Sequence, residues 1–482
     1  MTFARTYRCL KNNKLYEKTI DIYTHEYVDS LPNSGCKILT VSKALQQQYS
    51  NIFNDISILK GRANYVCSED EDFACDLAPC AVLPMLQKKC IDNDRCPFFI
   101  ARRDAFSSKF VSLNYSTFLS LPYHLQNAQY LVCDEATELE DELVGFYSCT
   151  IEYAKVKRYL KSGPLIPTED KTAIYCWLND LHHNIKLHYD EIYEMIRKGK
   201  NKRKLMSDII KMRKLRVIYE KLGHVIDHWF TTEYVTDLDV PGKVIVTPLG
   251  VNVLAQSFFE KSDYVILMSG SIIDHKTFAE TFGIDKYKYI EIPSEFESKK
   301  SPIYCQTKFK LNYKNLNTNL PKVTNMAKQI CDQHSNEKGI IHTHTFKITE
   351  ALKSKCKGSR FLYREAGTTN EDILVTHFEN NNTVLISPSL GFGTSLDDEH
   401  GRFQIIMKAP YLPLNDKRIS VLRKRNQKWY EMKALVNLVQ MCGRTTRSKT
   451  DHSTTYILDA CVYDLLKRHW KDLPLWFKDR II

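Results

Sequence analysis

No stretch of the form G-x-x-x-x-G-K-[ST] occurs in the 482 residues. That motif wraps phosphates in backbone N–H groups from its glycines, brings a lysine to the outer phosphates and offers a hydroxyl to Mg²⁺. Its absence excludes a phosphate cradle of that type within these residues. The only early glycine, Gly35 in NSGCKILTVS, is followed by Cys36 and Lys37 rather than by Lys-Ser or Lys-Thr. No apolar run approaches the roughly 20 residues of a membrane span, and no signal peptide opens the chain. The expectation is a soluble, intracellular protein with no membrane partner. The clustered cysteines lack the paired C-x2-C knuckles of structural zinc, and without a secretion signal they are not expected to form a disulfide framework.

What is present is concentrated between Gly61 and Glu140. Cys67, Cys75, Cys80, Cys90 and Cys96 fall within a polar, proline-containing segment unlike a core. A four-iron four-sulfur cluster tolerates their irregular spacing, because its inorganic core sets the geometry. Cys67, Cys80, Cys90 and Cys96 are the favoured ligands and Cys75 is the alternate. A single zinc ion, or thiols buried as small apolar groups, are the competing readings. Further on, Tyr130-Leu131-Val132-Cys133 reads as a short buried strand with Asp134 and Glu135 at its C-terminal end, where open α/β sheets place ligand chemistry. An Asp there can hold Mg²⁺ and a Glu can orient or deprotonate water. A solvated strand end capping the next helix is the plainer alternative.

The length suits about three domains. The net charge of +11 favours a polyanionic partner or serves solubility. Fifteen cysteines without a secretion signal imply a reducing compartment.

KGRANYVC (Lys60 to Cys67), CPFF (Cys96 to Phe99), LNYSTFL (Leu113 to Leu119) and DEAT (Asp134 to Thr137) resemble the iron-sulfur helicases of the XPD and DinG group in superfamily 2. The resemblance implies an α/β fold of two RecA-like parallel-sheet domains with an inserted cluster segment and a helical arch. Residues 1–60, 98–150 and 241–300 would form the first domain, 61–97 the cluster segment, 151–240 the arch and 301–482 the second domain. It implies ATP as substrate with Mg²⁺, DNA as partner at single strands and forks, 5′ to 3′ unwinding, and a role in repair or replication. The compartment would be the cytoplasm of a bacterium or phage-infected cell, or a eukaryotic nucleus. The chain would begin just after the place of the phosphate loop, which an upstream reading frame or a separate polypeptide would supply. A remnant that binds nucleic acid without turnover is the other expectation.

The remaining motifs follow in the order the family implies. Lys37 to Tyr49 reads as a strand, a polar turn and a helix start, similar to a motif that touches the DNA backbone, here through Thr40, Ser42 and Lys43. Ser269-Gly270-Ser271 stands where the family has Ser-Ala-Thr, which links ATP state to strand separation. GFGTSLDD (Gly391 to Asp398), with Gly393 in it, resembles the motif joining nucleic acid to ATP, although Ser395 stands where an Asp is usual. In QMCGRTTR, Gln440 would sense nucleotide. Arg444 and Arg447, three residues apart on one side of a helical turn, would meet the γ-phosphate, the alternative being pairs with surface carboxylates.

Between Glu152 and His228 the pattern is helical, with an apolar stripe at Leu205, Ile209, Met212, Leu215, Ile218, Leu222, Val225 and Trp229. RKGKNKRK (Arg197 to Lys204) reads as a solvated turn. Lys243 to Leu249 and Tyr264 to Ser271 read as buried parallel strands. His342 and His344 alternate along a strand and read as polar turn residues rather than as a metal pair.

Overall fold

The computed structural model describes residues 9–11, 14–16, 35–69, 71, 73–81, 90, 95–161, 163–164, 168, 170–198, 202–294, 296–364, 370–388, 396, 398–446 and 450–482. The chain divides into two compact units, Met1–Ser269 with Ala279–Lys286, and Gly270–Phe278 with Tyr287–Ile482.

In the first unit β1 (Cys9–Lys11) and β2 (Lys14–Tyr16) pair as an antiparallel hairpin. Its main sheet is parallel throughout, in the order β10 (Ser262–Met268), β6 (Ala128–Asp134), β3 (Cys36–Thr40), β5 (Phe110–Asn114), β4 (Ile56–Ile58). Ile38, Leu39, Leu113 and Leu131 are fully buried, as expected where helices cover both faces and central strands become continuous apolar runs. The cysteine segment lies between β4 and β5.

Between β6 and β10 the chain builds two 27-residue helices, Lys171–Arg197 and Lys202–His228. Ile209, Met212, Leu215, Leu222 and Val225 of the apolar stripe are buried in one core with Ile174, Trp177, Leu178, Leu181 and Ile185. Leu205 and most of the basic run 197–204 lie outside the residues whose side chains are described.

The expectation of two buried parallel strands here needs correction. β9 (Lys243–Pro248) lies outside the parallel sheet, between β7 (Cys149–Glu152) and β8 (Tyr234–Asp237), antiparallel to both. Val244 and Val246 are buried while Lys243, Ile245 and Thr247 are half-exposed, the alternation of a sheet covered on one face. A short apolar run does not by itself say which kind of sheet receives it. β10 is parallel to β6 as expected, but it is an edge strand and its apolar residues are half-exposed.

The second unit holds a six-stranded parallel sheet in the order β11 (Ile303–Cys305), β16 (Thr454–Ile457), β15 (Phe403–Ile406), β12 (Gly339–His342), β14 (Val384–Ser387), β13 (Phe361–Tyr363). On one face Ile341, Ile386, Phe403 and Ile405 pack with Val323 and Ala327 of the helix Leu316–Gln333. On the other, Ile406 and Ile457 pack with Leu435, Leu438 and Val439 of the helix Gln427–Cys442. Position 339 has to be glycine, because a Cβ there would stand 2.3 Å from the Phe403 ring. Among the described residues no helix is long and apolar enough to cross a membrane.

Candidate nucleotide site and thiol centre

β6 ends at Asp134, and the parallel register sets Met268 of β10 directly opposite it. Ser269 is the next residue, so the Ser-Gly-Ser segment begins beside the acidic pair. The Ser269 hydroxyl donates to Glu135 Oε2 at 2.9 Å and lies 3.3 Å from the Thr137 hydroxyl. Glu135 adopts a left-handed backbone, φ 50°, a conformation uncommon for any residue other than glycine. Its N–H donates to Asp134 Oδ1 at 2.9 Å.

Two tyrosines complete the surroundings. The Tyr49 hydroxyl donates to Asp134 Oδ2 at 2.9 Å from the helix Lys43–Ile52. The Tyr115 hydroxyl donates to the Asp134 carbonyl, also at 2.9 Å. Burial, and then the charge of Glu135, push the Asp134 carboxyl up to about 6, against the lowering pull of Tyr49 and the Glu135 N–H. A carboxylate so placed loses its proton readily when a dication arrives. Neither tyrosine was expected at the site. Tyr115 lies inside the quoted LNYSTFL motif, which was a usable signal, whereas nothing local marks Tyr49.

Thr40 is fully buried and its hydroxyl donates to the Ser42 carbonyl at 3.1 Å. Ser42 caps the helix Lys43–Ile52 by accepting from the Leu45 N–H. Both shape the turn, and Lys43 stands exposed on it.

Far along the same unit, Cys67, Cys75, Cys80 and Cys96 are buried in one cluster, with half-buried Cys90 packed against it. An antiparallel bridge between Val66 and Ala74 brings Cys67 and Cys75 together, and Cys96 precedes the helix Pro97–Ser107. Cys75 Sγ and Cys96 Sγ are 4.0 Å apart. Arg62 donates to Cys80 Sγ at 3.0 Å while its guanidinium packs over the Phe98 and Phe99 rings. Burial, and then the neighbouring sulfur of Cys96 or Cys80, push the Cys75 and Cys90 thiols up to about 12. Burial therefore favours the protonated thiol at both positions. Among the described residues no group of three or more His, Cys, Asp or Glu side chains is placed to hold a metal ion. An all-sulfur donor set of four or more is the chemistry that iron-sulfur ligation requires.

In the second unit the helix Gln427–Cys442 carries Gln440, half-buried, in its last turn. The helix ends at Cys442 with Gly443 as its cap, so Arg444 lies beyond it, which corrects its expected place on a helical turn. Arg447 and Gly393 lie outside the described residues. Arg444 is 8 % exposed. Burial, and then the Arg444 charge, hold the His342 imidazole down at about 3. His342 is the buried last residue of β12, which corrects its reading as a turn residue. His344 does sit in a turn, at φ 62°, with Nε2 3.1 Å from the Tyr411 carbonyl. Gly270 and Ser271 also belong to this unit, and Ser271 is buried.

Residues 329–480 match the family model of the helicase C-terminal domain. A solved structure named XPD helicase is similar over 95% of this chain and 98% of its own, at 15% identity and a TM-score of 0.59. The fold is that of an XPD helicase. A second solved structure, named XPD apo, covers 92% of this chain and 97% of its own, at 14% identity and a TM-score of 0.51. Comparison with curated protein sequences gives no match. On the XPD fold, the acidic pair of the first unit occupies the C-terminal edge of a parallel sheet, where such sheets place their ligand chemistry.

Proposed function

We propose that the chain works as an ATP-dependent DNA helicase of the XPD and DinG type, moving 5′ to 3′ along one strand and carrying a four-iron four-sulfur cluster. The observation that carries this reading is the network Tyr49–Asp134–Glu135–Ser269, in which the acidic pair at the end of β6 is tied to the first residue of Ser-Gly-Ser. Asp134 would hold Mg²⁺, Glu135 would position the attacking water, and Gln440 with Arg444 and Arg447 would serve the nucleotide. Thr40, Ser42 and Lys43 would lie along the DNA backbone, and Gly393 with Gly270 and Ser271 would couple DNA to nucleotide. When bound, the cluster would supply a rigid cross-link among Cys67, Cys80, Cys90 and Cys96. Residues 1–60, 98–150 and 241–300 would serve as the first motor domain, 61–97 as the cluster segment, 151–240 as the arch and 301–482 as the second motor domain.

The missing G-x-x-x-x-G-K-[ST] supports a second reading. In it the chain binds single-stranded DNA without turnover. Titration of labelled single-stranded DNA with and without ATP separates the two. Helicase function predicts salt-sensitive binding that ATP weakens, and the binding-only reading predicts the same salt dependence with no response to ATP. Anaerobically purified protein is expected to be brown and to hold iron. One zinc and no colour would remove the cluster.

A further inference from the structure

The segment holds five thiols where a four-iron four-sulfur cluster takes four. The fifth is the most deeply buried of them, Cys75, at 1% exposure. Its backbone is fixed, with the Cys75 N–H donating to the Tyr65 carbonyl at 2.7 Å and the Cys67 N–H donating to the Phe73 carbonyl at 2.8 Å. Its sulfur contacts the Val66 carbonyl at 3.4 Å and Cys96 Sγ at 4.0 Å, and it also accepts from the Phe98 backbone N–H. The second is contact between two sulfurs on separate structural pieces, the bridge between Val66 and Ala74 and the start of the helix Pro97–Ser107. Cys80 has a sulfur neighbour of its own in Cys90, but differs in that Arg62 donates to its sulfur.

We propose that Cys75 is a resolving thiol for Cys96, closing a disulfide with it when the metal is lost, and that it stands outside the ligand set. The oxidant is a low-molecular-weight disulfide of the glutathione class. The Cys96 thiolate attacks one sulfur of that disulfide and releases one glutathione thiolate. The Cys75 thiolate then attacks the Cys96 sulfur of the mixed disulfide and releases the second. One sulfur–sulfur bond breaks and one forms, two protein thiols are oxidised, and their two protons end on two glutathione molecules. The two sulfurs stand 4.0 Å apart and must approach to about 2.05 Å for the bond to close. The closed bond would hold Cys96 away from the irreversible steps of the oxidation ladder until a reductant and iron return. The inference rests on the proposed cluster for the physiological trigger and for the ligand set that leaves Cys75 out.

The test uses the full chain, stripped of iron by a chelator under nitrogen, exposed to glutathione disulfide, alkylated, digested and mapped by mass spectrometry. The expected product is a Cys75–Cys96 disulfide that dithiothreitol reverses. In Cys75→Ser the mixed glutathione adduct on Cys96 should accumulate about tenfold over the wild type, because its intramolecular competitor is gone. Iron in anaerobically purified Cys75→Ser should equal that of the wild type, while Cys96→Ser loses it. A Cys80–Cys90 bond in place of Cys75–Cys96, or loss of iron from Cys75→Ser, overturns the proposal. The disulfide map needs neither ATP nor DNA, so a failed helicase assay leaves this result standing, and the reverse also holds.

Discussion

The Ser269 hydroxyl donates to the Glu135 carboxylate at 2.9 Å, across 134 residues of sequence. Those residues contain the whole helical pair and the antiparallel sheet beside it, yet β6 and β10 meet in register so that the segments following them touch. Glu135 needs the tie, since its backbone sits in the left-handed region, at a cost on the order of 1–3 kcal/mol that surrounding contacts must offset.

Replacing Ser269 with Ala removes a hydrogen bond to a charged group, worth about 1.5–3 kcal/mol. Amide hydrogen exchange at Glu135–Glu138 should then accelerate by roughly 10- to 100-fold. Ser269→Thr, which keeps the hydroxyl, should restore most of the protection. Unchanged exchange in the Ala variant would show that the segment is held by something else.

Asp134 links the site to pH. Its folded-state carboxyl lies at about 6 against an unfolded value near 3.9, so between these the native state binds more protons. The contribution of Asp134 to the stability of the first unit is therefore fully present below pH about 4 and is lost, by a few kcal/mol, as pH rises through about 6. Mg²⁺ binding should run the other way, strengthening as Asp134 ionises. Asp134→Asn should flatten both profiles. Tyr49→Phe, which deletes a contact that lowers the carboxyl, should move both midpoints upward. Unit-resolved hydrogen exchange and Mg²⁺ titration between pH 4.5 and 7.5 measure these effects, and midpoints indifferent to Tyr49 would refute the assignment.

The second unit should respond with the opposite sign. His342 is held down at about 3 and His377 at about 4, both chiefly by burial. The unfolded chain takes up these protons first as pH falls, so their contribution to stability is full above about 6.5 and is lost on acidification towards 4. His342→Gln should reduce the acid sensitivity of exchange in the strands around β12. If the slope of that region were the same in the variant, His342 would not be the group responsible.

Much of this was legible because it is local. The strand ending in Asp134-Glu135 and the stripe from Ile209 to Val225 both follow from the spacing of apolar residues, and the cysteines come together from within thirty residues. Gly443 was a helix stop in plain sight, and reading it would have kept Arg444 off the helix. Tyr49 was not legible: it meets Asp134 from a separate helix, and no periodicity reports on a contact 85 residues away. β9 failed for a related reason, since an apolar run carries no record of the strand it pairs with.

Another contact invisible to periodicity joins Arg213 to Asp76 across 137 residues, and Arg216, one turn on, donates to the Ala81 carbonyl at 2.9 Å. Asp76 follows Cys75 and Ala81 follows Cys80, so the helix Lys202–His228 grips the thiol segment at two points next to its sulfurs. Arg213 is partly exposed while Asp76 is mostly buried, so the pair exceeds a solvated surface bridge and should contribute about 1 kcal/mol. Arg213→Ala should raise exchange at residues 73–81 by roughly fivefold, the rate equivalent of that energy, and leave the core of Ile209 and Met212 protected. Arg213→Ala with Arg216→Ala should loosen the segment further and speed its cleavage by trypsin. If only the helix loosened, the contacts would stabilise the arch and leave the thiol centre unaffected.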